Sequence, residues 1–161
     1  MNTIERLSYL AGSALLWLIF AMGSLVVLLI VPVLATDLTQ AYNEYAQDQF
    51  AIQTLLTIPV MLGMVIVLAV LLLLRLIHQD RILSSSAYKW VRGLSISTFG
   101  LAASLFAIGV WLNNKNTLPP LIAVILATGA LISLAVGFVT LTLMSLLKRA
   151  TTAIEELEGV I

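Results

Sequence analysis

Few side chains in this sequence could carry chemistry, and they lie outside its long apolar stretches. The single histidine, His78, lies two residues before Asp80. A histidine beside an aspartate is the smallest set of side chains found in many acid–base and metal sites. One histidine without cysteine or a carboxylate cluster makes a poor metal site, so a surface histidine at a membrane edge is the simpler interpretation. The sequence also contains no glycine-rich phosphate loop, no H-E-x-x-H and no G-x-S-x-G turn. We therefore predict no catalytic, cofactor-binding or metal-binding residues and no enzymatic activity.

The polar groups inside the apolar stretches are mainly hydroxyls: Thr54, Thr57, Thr98, Thr128, Ser133 and Thr140. A hydroxyl in a helix can donate its hydrogen bond to the carbonyl one turn back, so these groups need no ligand. A proton-coupled pump or an exporter of small cationic drugs is expected to hold a carboxylate near the bilayer midplane. The absence of such a carboxylate from the apolar stretches counts strongly against those functions.

Composition indicates the bilayer as the solvent of the chain. Of 161 residues, 61% are hydrophobic and 10% are charged, whereas soluble domains average about half apolar and about a quarter charged. The formal net charge is zero, which gives no reason to expect a nucleic-acid partner. There is no cysteine, which excludes disulfides, thiolate metal sites and thiol nucleophiles.

Four runs without Asp, Glu, Lys, Arg or His predict four transmembrane helices. They lie between Arg6 and Asp37, between Asp48 and Arg75, between Arg92 and Lys115, and between Lys115 and Lys148. Each is long enough to cross a hydrocarbon core of about 30 Å, which needs roughly 20 helical residues. The predicted fold is an all-α integral membrane protein, a single domain over residues 1–161 that forms a four-helix bundle. The approximate spans are 10–34, 51–76, 94–112 and 121–147.

The distribution of Lys and Arg predicts the orientation of these spans. Seven cations lie at the termini and in the segment after the second span, whereas the two other loops hold only Lys115; the seven are Arg6, Arg75, Arg81, Lys89, Arg92, Lys148 and Arg149. Placing the seven in the cytoplasm requires an even number of spans with both termini inside, which the four runs supply. We expect a multi-pass protein of the cell membrane.

Short amphipathic helices are predicted in three segments outside the spans. In the first outer loop, residues 35–50, Thr36 or Asp37 could cap a helix, with Gln40 completing a capping box. Its apolar face would hold Leu38, Tyr42 and Tyr45; an interfacial helix is the favoured interpretation and a ligand site the alternative. In the C-terminal tail, Ile154, Leu157 and Ile161 recur at helical spacing opposite three glutamates, Glu155, Glu156 and Glu158.

The inner loop, residues 77–93, carries the third predicted amphipathic helix and the best candidate contact surface. Ser84, Ser85 and Ser86 offer N-caps, and Tyr88 is an aromatic of the type favoured at headgroup level. The residues predicted to contact anionic lipid or a cytoplasmic partner are Arg81, Lys89, Trp90 and Arg92. The simpler interpretation is that these charges only hold the loop on the cytoplasmic side.

Small residues predict where helices approach closely, because lipid gives helices no hydrophobic reason to associate. The third span sets Gly100, Ala103, Ser104 and Ala107 on one face, and the fourth sets Gly129, Ser133 and Gly137 on one face. We expect these stripes to pack on each other or on a second copy. Among the prolines, Pro59 should kink the second span, Pro119 and Pro120 begin the fourth, and Pro32 helps to terminate the first.

The inner loop and the tail also carry a resemblance to a known family. The loop reads Asp80-Arg81-Ile82-Leu83-Ser84 and then Tyr88-Lys89-Trp90-Val91-Arg92; the tail reads Leu146-Leu147-Lys148-Arg149-Ala150 and then Ile154-Glu155-Glu156. This layout resembles the bacterial membrane family catalogued as domain of unknown function 2975. Leu83 departs from the family's usual Phe, and Gly159-Val160-Ile161 replaces its Thr-hydrophobe ending. The resemblance implies four spans in a membrane, and its frequent neighbourhood with a small helix-turn-helix regulator hints at a regulatory or stress-linked role. It implies no catalytic or binding residues.

Two functions remain from the sequence. The favoured one is a non-enzymatic accessory or regulatory protein of the lipid bilayer that binds a protein partner through its cytoplasmic loop and tail. The alternative is a small transporter or channel subunit, formed by several copies through the small-residue faces. The sequence does not give the oligomeric state.

Overall fold

A computed structural model of the chain describes residues 3–41, 47–79, 85–116 and 120–158. In these ranges the regular elements are helices: α1 (Thr3–Leu25), a π-helical segment (Val26–Ile30), α2 (Val31–Ala41), α3 (Gln49–His78), α4 (Ser85–Asn114) and α5 (Pro120–Glu158). Four stretches are long and apolar enough to cross a membrane, namely Leu7–Asp37, Gln49–His78, Ser86–Asn114 and Pro120–Ile154. The prediction of four membrane-length helices is confirmed.

The first span is continuous through Pro32. The N–H of Val31 donates to the carbonyl of Val26, five residues back, which is the hydrogen bond of a π-helix. Pro32 has no N–H to donate, and a π-helical turn beside it lets the backbone continue as helix. The prediction that Pro32 helps to terminate the first helix is wrong, because the helix continues to Ala41.

The predicted helix start in the first outer loop is also wrong. Thr36 and Asp37 lie inside α2, which follows the π-helical segment directly. The Thr36 hydroxyl donates to the carbonyl of Pro32 at 2.8 Å, as a hydroxyl inside a helix does, rather than capping a new one. Tyr42 and Tyr45 of the predicted apolar face lie outside the described residues.

The two other predicted amphipathic segments belong to the spanning helices. Because α4 begins at Ser85, the stretch from Tyr88 to Arg92 forms its first turns and not a separate helix. The tail is likewise the end of α5, which has 39 residues and is therefore about 58 Å long at 1.5 Å per residue. The N-cap candidate Ser84 and the family-like segment from Asp80 lie outside the described ranges.

The first span runs antiparallel to α3, and contacts along its whole length share one register. These contacts are Tyr9 with His78, Gly12 with Leu74, Gly23 with Met64, and Ala35 with Ile52. Since they lie on both sides of the π-helical segment, that segment keeps the same face of the first span on α3 beyond Pro32.

The same register places the π-helical segment of the first span beside Pro59 of α3, and both interrupt regular α-helical hydrogen bonding. Counting from the Ala35–Ile52 contact, Pro32 lies level with Leu55, and Leu28 in the π-helical segment lies level with Pro59. Leu55 is the residue whose carbonyl Pro59 leaves without its helical N–H donor. The two neighbouring helices therefore lose regular α-helical hydrogen bonds at the same depth. α3 itself is one continuous helix through Pro59.

The remaining helices are antiparallel to their neighbours in chain order. α4 contacts α3 through two residue pairs, Asp48 with Lys115 and Leu62 with Gly100. α5 contacts α4 through Thr98 with Gly137 and Leu105 with Gly129. In the described parts of the chain, extensive packing joins consecutive helices, and α1 and α5 do not pack extensively on each other. In the described residues the spans therefore form a row, with the beginning of α1 and the end of α5 at the same end, and the predicted four-helix bundle is not shown.

Candidate interaction surfaces

One end of the row carries five cations on three helices, here called the basic collar: Arg75, Lys89, Arg92, Lys148 and Arg149. Arg75 lies in the last turn of α3, and Lys89 and Arg92 lie near the start of α4. The Thr98–Gly137 contact sets Ala87 level with Lys148, so the α5 cations join the others. All five side chains are exposed. Sequence reasoning found these cations, and the structure brings them to one end.

Helix stability does not explain the cations of α4. A helix N-terminus favours anions, whereas cations are favoured at a C-terminus, where Arg75 and His78 lie in α3. Lys89 and Arg92 are the fifth and eighth residues of α4, beyond its first turn, so the helix terminus gives no reason for cations at these positions. Trp90 beside them is 37% exposed, and Tyr88 is half-buried. Arg81, the fourth predicted contact residue, lies outside the described residues.

The end of α5 extends past the beginning of its neighbour. The register sets Ser85, the first residue of α4, level with Ala150, and α5 continues to Glu158. Along this extension Ala153, Ile154 and Glu156 are exposed. Ile154 is the one member of the predicted Ile154–Leu157–Ile161 face whose side chain the structure describes.

Tyr9 of α1 and His78 of α3 are in contact at the same end of the row as the basic collar. Their rings are stacked with centroids 4.0 Å apart and planes 10° apart, which joins the first turns of α1 to the last turn of α3. Of the described residues, no group of three or more His, Cys, Asp or Glu is close enough to hold a metal ion. His78 contacts the Tyr9 ring, and Asp80, the residue paired with it in the sequence, lies outside the described residues.

Buried hydroxyls lie where α4 and α5 meet. Thr98, Ser133 and Thr140 donate to carbonyls of their own helices, at Ser95, Gly129 and Val136, over 2.8, 2.9 and 2.7 Å. In α3, Thr54 and Thr57 donate to Phe50 and Gln53 in the same way. The expectation that these hydroxyls are satisfied within their own helices is confirmed for these five residues. Thr128 is exposed.

The two small-residue stripes do not meet. On α5, Gly129 and Gly137 face larger side chains of α4, since a Cβ at Gly137 would lie 3.0 Å from Cζ of Phe99, and Ser133 between them is buried. On α4, Gly100 instead faces Leu62 of α3, and Ser104 is half-buried with its hydroxyl on the Leu101 carbonyl. Ala103 and Ala107 are exposed.

The end opposite the basic collar, here called the far end, holds an ion pair that sequence reasoning missed. Asp48 and Lys115 are 67 residues apart in the chain, and their Oδ2 and Nζ atoms are 2.6 Å apart. The Lys115 ammonium also lies over the Trp111 ring, 5.9 Å from its centroid. Trp111 in turn packs on a core formed by Ala35 and Ile52. The sequence did contain a signal for this ion pair: Lys115 is the one Lys or Arg in the two outer loops, and the first of those loops is acidic.

A groove of about 260 Å³ opens between α4 and α5 in the half of the row nearer the far end. It is lined by Leu105, Phe106, Gly109, Val110 and Asn113 of α4 and by Ala123, Leu126, Ala127 and Ala130 of α5. The lining includes none of the span threonines Thr54, Thr57 and Thr128. The groove is therefore apolar apart from Asn113.

Comparison with known proteins places the chain in a family. The family model described as "Protein of unknown function (DUF2975)" matches residues 33–161. No curated protein and no solved structure matches the chain. The family match covers most of the chain, from the end of the first span to the last residue. The chain belongs to this family, and the resemblance noted in its inner loop and tail is confirmed.

Proposed function

We propose that this member of the DUF2975 family is a multi-pass protein of the cell membrane that catalyses no reaction and binds another protein at its basic end. In this proposal the basic end, with both termini, lies in the cytoplasm. The observation that carries the proposal is the end of α5, which remains helical beyond the level of Ser85 and exposes both Ile154 and Glu156. An exposed amphipathic helix end is a surface that a partner helix or groove can cover.

The basic collar supplies the second half of the proposed contact surface. Arg and Trp are enriched among the residues that dominate binding energy, and Arg92 and Trp90 are both exposed on the first turns of α4. An acidic segment of a cytoplasmic protein would complement the collar and could reach Ile154 on the extension of α5. The register supports this arrangement, because it sets the start of α4 level with the beginning of the extension.

The interior of the described spans supports a binding role over transport. The hydroxyls of Thr54, Thr57, Thr98, Ser133 and Thr140 each donate to a carbonyl of their own helix, so the protons of these five hydroxyls are not directed toward a solute. The groove between α4 and α5 has an apolar lining. The alternative, a small transporter or channel subunit, predicts solute flux in proteoliposomes, and vesicles that stay tight to ions and common drugs would remove it.

Affinity capture from solubilised membranes tests the proposal. The full chain is compared with two variants of the contact surface, Lys89→Glu combined with Arg92→Glu, and Ile154→Asp. The matched controls are Asn114→Glu at the far end and Thr152→Glu, which adds a charge to the same extension. We expect a protein that copurifies with the wild type and with both controls, and whose recovery falls at least about tenfold with either surface variant.

Because removal of cations can change the orientation of a membrane protein, each variant is first shown to keep the wild-type orientation by labelling of a single introduced cysteine. Arg75, Lys148 and Arg149 remain in the double variant to hold it. Identical partner lists for the wild type and for both correctly oriented surface variants would contradict the proposal.

A further inference from the structure

Two helix ends lie beyond the paired interruptions of the first span and α3. They are residues 33–41 of α2 and 49–58 of α3, here called the far-end pair. We infer that the far-end pair tilts as one unit against α4. The interruptions at Pro32 and Pro59 form its hinge, and an ion pair with α4 is its latch. This device lies at the end opposite the basic collar, so it does not rest on the proposed function.

Bending at the level of the hinge costs little, because helical hydrogen bonds are already missing there. Pro59 has no N–H for the carbonyl of Leu55, and Pro32 has none for the π-helical segment before it. Elsewhere in a spanning helix, a bend breaks backbone hydrogen bonds that lipid cannot replace. Since Leu28 of the π-helical segment lies level with Pro59, both helices can bend at one depth.

Side-chain packing at the hinge does not oppose a tilt. The π-helical segment has no buried residue, and Leu28 in it is 71% exposed. The buried residues of α3 are Ile52 and Ala69, which lie on either side of Pro59. One turn beyond Pro59, no heavy atom of the described residues lies within 4 Å of the Cβ position of Gly63. A tilt at this level therefore need not unpack a buried side chain.

The far-end pair has contacts of its own that hold its two helices together. Ala35 is fully buried, and it packs on Ile52, which is also buried. Leu56 packs on the same core. Gln49 donates a hydrogen bond from Nε2 to the hydroxyl of Thr36 at 3.4 Å. Because these contacts all lie on the far side of the hinge, the two helix ends move together.

α4 provides a continuous support beside the hinge. Its 30 residues include no proline and form one unbroken helix. The contact of Leu62 with Gly100 sets Pro59 level with Ala103, in the middle of α4. α4 therefore has no matching interruption at the depth where its neighbours can bend. A tilt of the far-end pair changes its distance from the last turns of α4.

The latch is an ion pair between the far-end pair and the end of α4. Oδ2 of Asp48, just before α3, lies 2.6 Å from Nζ of Lys115, just after α4. Both side chains are about a third exposed, so solvent and salt weaken their attraction. An exposed ion pair shifts an equilibrium by at most about fivefold, which biases a hinge without locking it. Salt at the far end therefore raises the fraction of tilted molecules.

Pulsed double electron–electron resonance on the full chain in lipid nanodiscs tests the inference. The chain has no cysteine, so spin labels can be placed on introduced ones. Labels on Gln40→Cys and Asn114→Cys report the distance between the far-end pair and α4, since both positions are exposed. Labels on Leu18→Cys and Ile96→Cys are the reference, because both lie exposed on the basic side of the hinge. We expect one reference distance, but a major shorter and a minor longer distance at the far end.

The hinge and the latch can be changed separately. Pro59→Ala restores the missing N–H and should lower the longer-distance fraction about threefold or more. Pro120→Ala is its matched control, since the first residue of α5 needs no helical N–H donor, and it should leave that fraction unchanged. Lys115→Met should raise the ratio of longer to shorter distances by up to about fivefold. Salt at 1 M should have the same effect on the wild type but not on Lys115→Met.

Three results would overturn the inference. The first is a single far-end distance in the wild type, in Lys115→Met and in Asp48→Asn, because the latch would then restrain no motion. The second is equal broadening of the reference distance, which would mean that the whole row loosens. The third is an unchanged longer-distance fraction in Pro59→Ala, which would place the motion elsewhere. If Pro59→Ala does not fold, Pro32→Ala tests the same hinge from the first span and should also lower that fraction.

Discussion

Asp48 and Lys115 join the beginning of α3 to the end of α4 through an ion pair whose Oδ2 and Nζ atoms are 2.6 Å apart. The carboxylate of Asp48 makes no capping hydrogen bond to α3, although Asp48 precedes the first residue of that helix. Lys115 follows α4 directly, and Asn116 after it adopts φ 54°, in the left-handed region that commonly ends helices. The chain thus turns away from α4 where its lysine meets α3.

The ion pair predicts a small, salt-dependent contribution to stability. The side chains of Lys115 and Asp48 are 39% and 30% exposed, so solvent screens the pair and we expect a coupling free energy of at most about 1 kcal/mol. A double-mutant cycle with Asp48→Asn and Lys115→Met, followed by unfolding in mixed micelles, measures this coupling. The coupling should weaken at 1 M salt, where charges are screened within about 3 Å.

Asp37→Asn serves as the control for the ion pair, since Asp37 is an exposed carboxylate near the same end. Its substitution should leave the free energy of unfolding nearly unchanged. A coupling free energy indistinguishable from zero at low salt would show that the pair does not hold the two helices together.

The sequence predicted the number of spans well because bilayer thickness imposes a length that charge-free runs reveal directly. It predicted helix ends poorly, because capping residues and prolines indicate where a helix can begin or end but do not show whether a preceding helix continues through them. Thr36 and Asp37 have capping chemistry, but they follow a helix that a π-helical turn carries past Pro32. The serines at 84–86 preceded a basic aromatic stretch that looked like an interfacial helix, yet α4 includes that stretch.

Contacts between distant segments were less accessible to sequence reasoning. The spacing of Gly129, Ser133 and Gly137 gave the face of α5 that meets α4, but spacing within one helix does not show which residues oppose it. Gly100 was assigned to that interface and faces α3 instead. The groove depends on small residues from both helices at one level, and the register between the helices comes only from the fold.

The orientation of the row is open to a direct labelling experiment. The chain has no cysteine, so single cysteines can be introduced without a background. Asn114→Cys at the far end should react with a membrane-impermeant maleimide in intact cells, whereas Ala153→Cys on the extension of α5 should react only after permeabilisation. The reason is the concentration of cations at the basic end, which the positive-inside rule places in the cytoplasm. Labelling of Ala153→Cys in intact cells would reverse the proposed orientation.

The stacked rings of Tyr9 and His78 predict that the first turns of α1 depend on this contact. The centroids are 4.0 Å apart, and aromatic pairs contribute about 0.5–1.5 kcal/mol beyond the area they bury. Tyr9→Ala should lower the free energy of unfolding by at least that amount and increase hydrogen exchange in α1 near its beginning. Tyr9→Phe keeps the ring and should stay close to the wild type, so equal losses in the two variants would exclude stacking as the cause.

The close approach of α5 to α4 at Gly137 predicts a large cost for a single methyl group. A Cβ at this position would lie 3.0 and 3.1 Å from Cζ and Cε2 of Phe99 and 3.1 Å from Oγ1 of Thr98. The Thr98 hydroxyl is held by its hydrogen bond to the Ser95 carbonyl, so it is not free to move away. We expect Gly137→Ala to lower the free energy of unfolding by about 1–3 kcal/mol, the usual cost of overpacking, as measured in mixed micelles.

Gly63→Ala is the matched control for this prediction. Gly63 also lies inside a spanning helix, but no heavy atom lies within 4 Å of the position that its Cβ would take. Replacing it with alanine adds the same methyl group without a clash, and the higher helix propensity of alanine should leave stability unchanged or raise it by up to about 1 kcal/mol. If both substitutions destabilised equally, glycine would be required in these helices for a reason other than the approach of α5 to α4. If Gly137→Ala were neutral, Phe99 would have room to move, and the α4–α5 interface would be looser than its distances indicate.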